Sequence, residues 1–302
     1  MGYPNVNRTY KDGLFRLVFK EKKDLLELYN AIADRHYENP EDLIITTLDD
    51  AVYIGMKDDL SFLVYDVLNL WEHQSSFNPN MPIRGLGYFS YIYQQYIEKN
   101  HLNVYGSRQL QLPVPQYIVF YNGESEKPDR MELKLSDSFA KVEGISPGLE
   151  CTAVMLNINY GHNRELMDRC KRLHDYALFI SRVRDNEAAG LLPAEAVDTA
   201  VTDCIRDGIL ADILSKNRAE VCDLLIFEYD EKKQREFEKE EGRAEGETIG
   251  RAKSVLELLE DLGNVPEELR SRILQETDLA VLKKWHKEAA RAKSLEEFME
   301  KL

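Results

Sequence analysis

The sequence has no long hydrophobic run and fewer basic than acidic residues. No segment approaches the ~20 consecutive apolar residues of a membrane span, and the first residues, MGYPNVNRTYKDG, lack the hydrophobic centre of a secretion signal. We therefore expect a soluble, cytoplasmic protein with no membrane partner. With 302 residues, 43% of them hydrophobic, the chain is long enough for a full core and for two domains.

Several common catalytic and metal-binding patterns are also missing. The four cysteines, Cys151, Cys170, Cys204 and Cys222, include no C-x-x-C pair, so we expect reduced thiols rather than a zinc site. There is no phosphate-binding glycine loop. The segment GISPG at residues 144–148 spells the serine hydrolase pattern, but a proline follows the serine, where a backbone N–H should hold the oxyanion. We interpret that segment as a turn.

The charge of the chain argues against loose adhesion to DNA. Its 54 acidic and 39 basic residues give a net charge of −15, whereas Lys and Arg supply most of the nonspecific affinity for phosphate backbones. Residues 41–72 are strongly acidic, and residues 80–120 carry Arg84, Lys99 and Arg108 against a single acid. The sequence therefore predicts no general DNA groove, but acids that recruit a divalent cation could bring phosphate to one place.

Two apolar runs in the acidic segment predict a β-hairpin. Residues 60–64 and 67–71 are rich in Val, Leu and aromatic residues and meet at Tyr65-Asp66. A two-residue turn places Val64 opposite Val67, and the same register places Asp59 opposite Glu72. The two-residue period of a strand then puts Gln74 on the face of Glu72, with Trp71 and His73 on the other face.

This register predicts a metal site. Opposite Cβ atoms lie roughly 5 Å apart, and two ionised carboxylates about 4 Å apart repel by roughly 4 kcal/mol at an effective dielectric near 20. A shared proton or a cation would relieve that repulsion, and Mg2+ prefers oxygen ligands. Spacing alone leaves a second interpretation open, in which Asp59 and Glu72 end their strands and face water. The Tyr-Asp turn also lacks the usual Gly or Asn, so a bulge would shift the pairing.

A family resemblance favours the metal site. Asp59, the EHQSS segment at residues 72–76 and the MPIR segment at residues 81–84 resemble the core of the Rpn family. These proteins are recombination-promoting nucleases, also labelled putative transposases, of the PD-(D/E)XK nuclease superfamily. The resemblance spans nearly the whole chain and includes DGLFRLVF at 12–19, PEDLIITTLDDAVYIGM at 40–56, YIVFYNG at 117–123 and LNINYGHN at 156–163.

The resemblance implies an α/β fold and an activity. We expect a PD-(D/E)XK nuclease-like core at residues 10–190, with a mixed central sheet flanked by helices, and an all-helical C-terminal region at residues 191–302. The implied activity is divalent-metal-dependent DNA endonuclease cleavage, associated with recombination or transposition. Asp59, Glu72 and the backbone carbonyl of His73 would hold Mg2+ or Mn2+, and Gln74 would orient the attacking water. The superfamily usually has lysine in place of Gln74, although the Rpn family often has glutamine.

Two further residues have a functional and a structural interpretation each. Asp12 either joins the metal site or caps the helix that follows it. Arg84, at the start of a predicted helix, either favours a nearby phosphate together with the helix N-terminus or pairs with a carboxylate of the fold. The acidic surface and the missing lysine also support a competing hypothesis, a nuclease-fold protein that no longer cuts and acts as a binding or assembly module. RNA stays open as an alternative substrate.

Periodicity and turn residues predict the other elements. Asn80 is a candidate N-cap, and Pro82 suits the first turn of a helix, so we expect a helix at residues 81–99. Its predicted core side carries Ile83, Leu86, Phe89, Tyr93 and Ile97. Strands are predicted at 43–47, 51–56, 114–121 and 149–157, and helices at 12–33, interrupted near the KEKKD block, and at 164–184.

The C-terminal region is predicted to be helical and acidic. Helices are expected at residues 193–216 and 219–240, and two shorter ones near 266–275 and 278–290. The terminal segments are expected to form a small bundle through Leu256, Leu259, Leu269, Ile273, Leu279, Leu282 and Trp285. Gly242, Gly246 and Gly250 recur every four residues, and each costs a helix about 1 kcal/mol. We expect a linker near 242–250 or a weak oligomerising helix, so the C-terminal helices are candidates for homo-oligomer contacts.

Overall fold

A computed structural model of the chain describes residues 13–46 and 60–300. The fold is α/β, with a six-stranded mixed sheet flanked by helices and a helical C-terminal region. The strands of this sheet are β1 (Leu43–Ile45), β2 (Leu60–Val64), β3 (Val67–Gln74), β4 (Val114–Tyr121), β5 (Arg130–Lys134) and β6 (Thr152–Asn157). The predicted strand at residues 51–56 lies outside the described residues.

Helices come before, between and after the strands in the sequence. They are α1 (Gly13–Val18), α2 (Lys22–Ala33), α3 (Met81–Lys99), α4 (Arg164–Arg169), α5 (Lys171–Ala188), α6 (Pro193–Asp207), α7 (Ala211–Lys216), α8 (Arg218–Glu260), α9 (Glu267–Gln275), α10 (Leu279–Ala289) and α11 (Leu295–Met299). Among the described residues, no helix combines the length and the apolar character needed to cross a membrane.

The hairpin forms in the predicted register. The strand order is β1-β2-β3-β4-β6-β5, and β3, β4 and β6 run parallel to each other while the remaining neighbours are antiparallel. Val64 pairs with Val67, and Leu60 pairs with Trp71. Tyr65 adopts the left-handed backbone conformation (φ 49°) that Gly or Asn usually supplies in such turns. No bulge shifts the pairing between residues 60 and 71.

The two faces of the sheet bury different helices. On one face, Phe62, Trp71 and Phe120 pack with residues of α1, α2 and α5. On the other face, Leu70 and Val119 pack with residues of α3. Trp71 and Leu70 are neighbours on β3 yet belong to different clusters, as the alternation of a strand requires. The face that carries even-numbered residues of β3 is therefore covered by α3.

Helix α3 has the predicted bounds but only part of the predicted core side, since Phe89 is buried and Tyr93 packs against the core as predicted. Its buried residues are Met81, Pro82, Gly85, Tyr88, Phe89 and Ile92, whereas Ile83 is 53% exposed. The prediction followed the aliphatic residues, but the helix approaches the sheet through Gly85 and Tyr88. A glycine and a tyrosine carry little signal in a hydrophobicity pattern, so the correct face was not visible.

Several other boundaries differ from the prediction. The helix expected at residues 12–33 is interrupted near the charged block, as predicted, and forms α1 and α2, whereas the helix expected at 164–184 is divided into α4 and α5. Strand β5 was not predicted. Its sequence, RMELK, is mostly charged because β5 is an edge strand whose only partner within the described residues is β6.

The chain divides into two compact units between Glu228 and Tyr229. The predicted boundary near residue 190 falls inside the first unit, because helices α6 and α7 contribute Val197, Val201 and Leu214 to the main core. The predicted linker near residues 242–250 lies within α8. Most residues between its glycines, such as Arg, Ala and Glu, are strong helix formers.

The second unit has its own core. Its buried residues come from α8, α9, α10 and α11, and they include Leu256, Leu259, Leu269, Ile273, Leu282, Trp285 and Phe298. All of these except Phe298 belong to the predicted bundle, whereas the predicted Leu279 is only partly buried. A helical bundle at the end of the chain is therefore present.

The cysteines provide a test of this packing. All four are free, Cys170 and Cys204 are buried, and Cys151 and Cys222 are partly exposed. Burial raises the pKa of the Cys170 thiol to about 12, and the thiolate is the reactive form. We expect a maleimide at pH 7.5 to label Cys151 and Cys222 well before Cys170 and Cys204, as followed by peptide mass spectrometry. Urea-unfolded protein, in which all four should react, is the control, and early labelling of Cys170 would contradict the packing.

Candidate active site

Glu72 is a carboxylate buried in the middle of the fold. It lies near the carboxyl end of β3, it is 1% exposed, and its side chain is on the face of the sheet that α3 covers. Removing a carboxylate from water is costly unless hydrogen bonds or a cation compensate for the lost hydration. The contacts of Glu72 therefore show which groups compensate for its lost hydration.

Three donors from the described residues contact Glu72. Arg84 Nη2 lies 2.6 Å from Glu72 Oε1, and Gln74 Nε2 donates to the same oxygen at 2.6 Å. On the other side, the Tyr117 hydroxyl donates to Glu72 Oε2 at 2.6 Å. A carboxylate has about four lone-pair sites, so these contacts fix the plane of the carboxyl group. Strands β3 and β4 and helix α3 each contribute to the cluster.

Arg84 connects this buried acid to the surface. It lies in the first turn of α3, where the sequence places Pro82, and its side chain is 35% exposed. Its Nη2 also donates to the Tyr88 hydroxyl at 3.0 Å, and the guanidinium carbon is 5.8 Å from the centre of the Tyr88 ring. Of the two interpretations of Arg84, the structure shows the ion pair with a carboxylate of the fold, and that carboxylate is Glu72. Asn80 precedes the helix as predicted, but its side chain makes no capping hydrogen bond.

Gly85 allows Tyr117 to reach Glu72. A Cβ atom at Gly85 would lie 2.4 Å from Tyr117 Cε1 and 2.5 Å from Cδ1, far inside van der Waals contact. Gly87, two residues later on the same helix, has no atom within 4 Å of such a position. The close approach of α3 to β4 therefore requires glycine at position 85 and not at position 87.

The predicted partners of Glu72 fall into two groups. Gln74 shares the face of Glu72 and contacts it, as the register predicts. Asp59 and Asp12 lie outside the described residues, so their roles stay predictions. The described pairing of β2 with β3 ends at Leu60 and Trp71. Within residues 13–46 and 60–300, no three His, Cys, Asp or Glu side chains are grouped as a metal site would need.

The His73 side chain points to the opposite face, as predicted. Its Nε2 lies 2.9 Å from the Tyr176 hydroxyl, and its ring stacks on Phe15 with centroids 5.2 Å apart. The Tyr176 hydroxyl also accepts a hydrogen bond from Asn122 Nδ2 at 3.1 Å. The imidazole is therefore a packed core group, and only the backbone carbonyl of His73 stays a predicted ligand.

A second polar cluster lies at the carboxyl ends of β4 and β6. Arg184 donates to the backbone oxygen of Asn122 and, at 2.7 Å, to Asn159 Oδ1. Nearby, His162 Nδ1 lies 2.6 Å from Asp129 Oδ1, and this hydrogen bond lowers the pKa of Asp129. These contacts join the segments that follow β4 and β6 to α5 and to the residue that precedes β5.

Sequence reasoning missed Tyr117, Tyr88 and Gly85. Tyr117 belongs to a strongly predicted strand, but its neighbour β3 is parallel to it and separated by α3. No local turn fixes a parallel register, so the contact between residues 72 and 117 had no sequence signal. Tyr88 lies one helical turn after Arg84, and that four-residue spacing is the indication that the sequence offers.

The donor set fits a hard divalent ion under one condition. Glu72 offers carboxylate oxygens of the kind that Mg2+ and Mn2+ bind. However, charges of +2 and +1 about 4 Å apart repel by roughly 8 kcal/mol at an effective dielectric near 20. This repulsion would weaken the contact between the Arg84 guanidinium and Glu72 Oε1 when a divalent ion binds the same oxygen. Gln74 and Tyr117 are neutral and are compatible with either.

Comparisons with protein-family models, with curated proteins and with solved structures found no match. The assignment of a function therefore depends on the residues around Glu72 and on the sequence pattern that contains them.

Proposed function

We propose that the protein is a divalent-metal-dependent DNA endonuclease with a PD-(D/E)XK-type core, of the kind found in the Rpn family and associated with recombination or transposition. The observation that supports this most is Glu72, a 1%-exposed carboxylate on a central strand, with Gln74 beside it on the same face. A fold that needed only a stable core would be served by an apolar residue at this position, since apolar replacements of buried ion pairs are often neutral or stabilising.

Each residue of the cluster has a role in this proposal. Asp59, Glu72 and the His73 carbonyl would hold Mg2+ or Mn2+, which, when bound, supplies Lewis acidity to a phosphate oxygen and to an attacking water. Tyr117 fixes the orientation of Glu72 through Oε2. Gln74 donates its amide N–H to Glu72, so its carbonyl oxygen is the group that accepts a hydrogen bond from the water.

Because residue 74 is glutamine and not lysine, another group must supply the positive charge that stabilises the transition state. An amide at position 74 orients a water but brings no charge to the pentavalent transition state. Arg84 is the nearest described basic side chain to Glu72, and a guanidinium matches two phosphate oxygens at once. We therefore assign the stabilisation of the phosphate to Arg84 together with the ion.

A second candidate function is a nuclease fold that binds or assembles without cutting. The observation that favours it is the 2.6 Å ion pair itself, since Arg84 already balances the charge of Glu72. In that case the helical C-terminal unit would carry the interaction, either with a homo-oligomer partner or with another protein. Light scattering of the purified protein would give its oligomeric state.

Digestion of supercoiled plasmid separates the two candidates. The wild-type protein should nick or linearise the plasmid with Mg2+ or Mn2+ and should be inactive in EDTA, and Asp59→Ala and Glu72→Ala should be inactive under all conditions. Glu98→Ala, which removes an exposed acid of α3, is the matched control and should cut like the wild type. Equal products from every variant would indicate a contaminating nuclease. Parallel digestion of RNA would show whether DNA is the preferred substrate.

A further inference from the structure

We propose that Arg84 is an exchangeable counterion of Glu72: it neutralises the acid in the metal-free protein, leaves it when a divalent ion binds, and then binds the substrate phosphate. This inference rests on the proposed nuclease function. It gives Arg84 two roles, competition with the metal ion for Glu72 and binding of the substrate phosphate.

The contacts of Glu72 single out Arg84 for this role. Of the three described donors, Gln74 and Tyr117 are neutral, and only Arg84 is charged. Tyr117 occupies Oε2, whereas Arg84 is on Oε1, the oxygen that also accepts from Gln74. A divalent ion at Oε1 therefore displaces the arginine and has no reason to displace the two neutral donors. The cluster can change its cation without changing the position of the acid.

Arg84 has access to solvent and makes a contact outside its ion pair with Glu72. Glu72 is 1% exposed, but the Arg84 side chain is 35% exposed, so the guanidinium has access to solvent where the acid has none. Tyr88, one helical turn later, offers a hydroxyl at 3.0 Å and a ring face at 5.8 Å. These contacts keep a released guanidinium close to the site, because they are independent of Glu72.

The exchange has a consequence for substrate binding. While Arg84 is paired with Glu72, its charge is used within the protein and is not available to an anion. Once an ion has replaced it at Glu72, the same guanidinium can bind phosphate oxygens beside the ion. Binding of the metal would thus prepare the site for the phosphodiester, and a metal-free protein with a net charge of −15 would have little affinity for DNA.

Two substitutions of Arg84 test the exchange. Arg84→Met removes the charge and keeps an unbranched side chain, whereas Arg84→Lys keeps a charge and loses the bidentate fork. Mn2+ binding to the full-length protein is measured at pH 8 by electron paramagnetic resonance, and plasmid cleavage is measured at saturating Mn2+. Circular dichroism and the shift in melting temperature on adding Mn2+ show whether each variant is folded and responds to the ion.

The proposal predicts opposite changes in binding and cleavage. Arg84→Met should bind Mn2+ more tightly than the wild type by roughly tenfold, a common size for coupling between two binding events, and should cut at least about 100-fold more slowly. Arg84→Lys should bind Mn2+ like the wild type and recover part of the cleavage rate. A merely structural arginine would instead lower Mn2+ affinity, cleavage and melting temperature together.

The outcomes distinguish this inference from the proposed function. One outcome is that the wild type binds Mn2+, that Glu72→Gln does not, and that folded Arg84→Met binds the ion no more tightly than the wild type. This outcome would overturn the exchange and leave the proposed metal site intact. No Mn2+ binding by the wild type, or binding that is the same in Glu72→Gln, would overturn the metal site itself and the exchange with it.

Discussion

Glu72→Gln is expected to reduce metal-dependent DNA cleavage by more than about 100-fold, the effect of losing one essential group of a catalytic site. Glutamine has nearly the same shape as glutamate, so the space between β3 and α3 stays filled. It replaces one carboxylate oxygen by an NH2 group, which can neither bind a cation nor accept a hydrogen bond, and it removes the negative charge that pairs with Arg84. The loss should therefore appear in kcat and in Mn2+ affinity rather than in the fold.

The same substitution should also lower the free energy of unfolding. Removing one partner of a fully buried ion pair costs roughly 3–5 kcal/mol, but Arg84 is 35% exposed, and solvent weakens its attraction to Glu72. We therefore expect a cost of about 1–2 kcal/mol in urea unfolding. Glu98→Gln, at an exposed position of α3, should leave both cleavage and stability unchanged. Wild-type cleavage by Glu72→Gln would exclude Glu72 as a metal ligand.

Gly85→Ala and Gly87→Ala are expected to have opposite effects on stability. Alanine in place of glycine usually stabilises an exposed helix position by about 1 kcal/mol, and Gly87 has open space around it, so Gly87→Ala should be stabilising by up to that amount. At Gly85 the new methyl group would lie 2.4 Å from the Tyr117 ring. The ring or the helix must move, and overpacking of this kind costs roughly 1–3 kcal/mol.

Gly85→Ala should also impair cleavage. Tyr117 carries its hydroxyl to Glu72 Oε2, and a displaced ring withdraws that hydrogen bond from the acid. Tyr117→Phe keeps the ring and removes the hydroxyl. It therefore shows how much of the loss of cleavage comes from the hydrogen bond between Tyr117 and Glu72. Urea unfolding and plasmid cleavage of the three variants give both quantities. Equal stability of Gly85→Ala and Gly87→Ala would contradict the close contact of α3 with β4.

The sequence specified the hairpin because its information is local. A two-residue turn and a strict alternation determine which residues face each other, so the pairing of residues 60–64 with 67–71 followed from a short stretch of chain. The same alternation correctly separated His73 from Gln74. Helix α3 was also predicted in its full length, since Asn80 and Pro82 mark its start.

Contacts between distant segments were not predictable in the same way. The position of Tyr117 beside Glu72 depends on the parallel register of β3 and β4, which are separated in the chain by α3. The observed core side of α3 depends on the close approach of the helix to β4 at Gly85. The boundary near residue 190 separates the predicted α/β core from the predicted all-helical region, whereas helix α6 packs into the core through a few small and β-branched residues such as Val197 and Ala200. Packing of this kind leaves little trace in a single sequence.

The central claim is that Asp59 and Glu72 together hold one divalent ion, and anomalous diffraction from crystals soaked in MnCl2 tests it most directly. The account predicts a manganese peak within about 2.5 Å of a Glu72 carboxylate oxygen, a distance typical of metal–oxygen bonds. It also predicts that the Asp59 carboxylate is on the other side of the ion and that Arg84 has left Glu72 Oε1. No peak at Glu72, or Asp59 on the opposite face of the sheet, would contradict it.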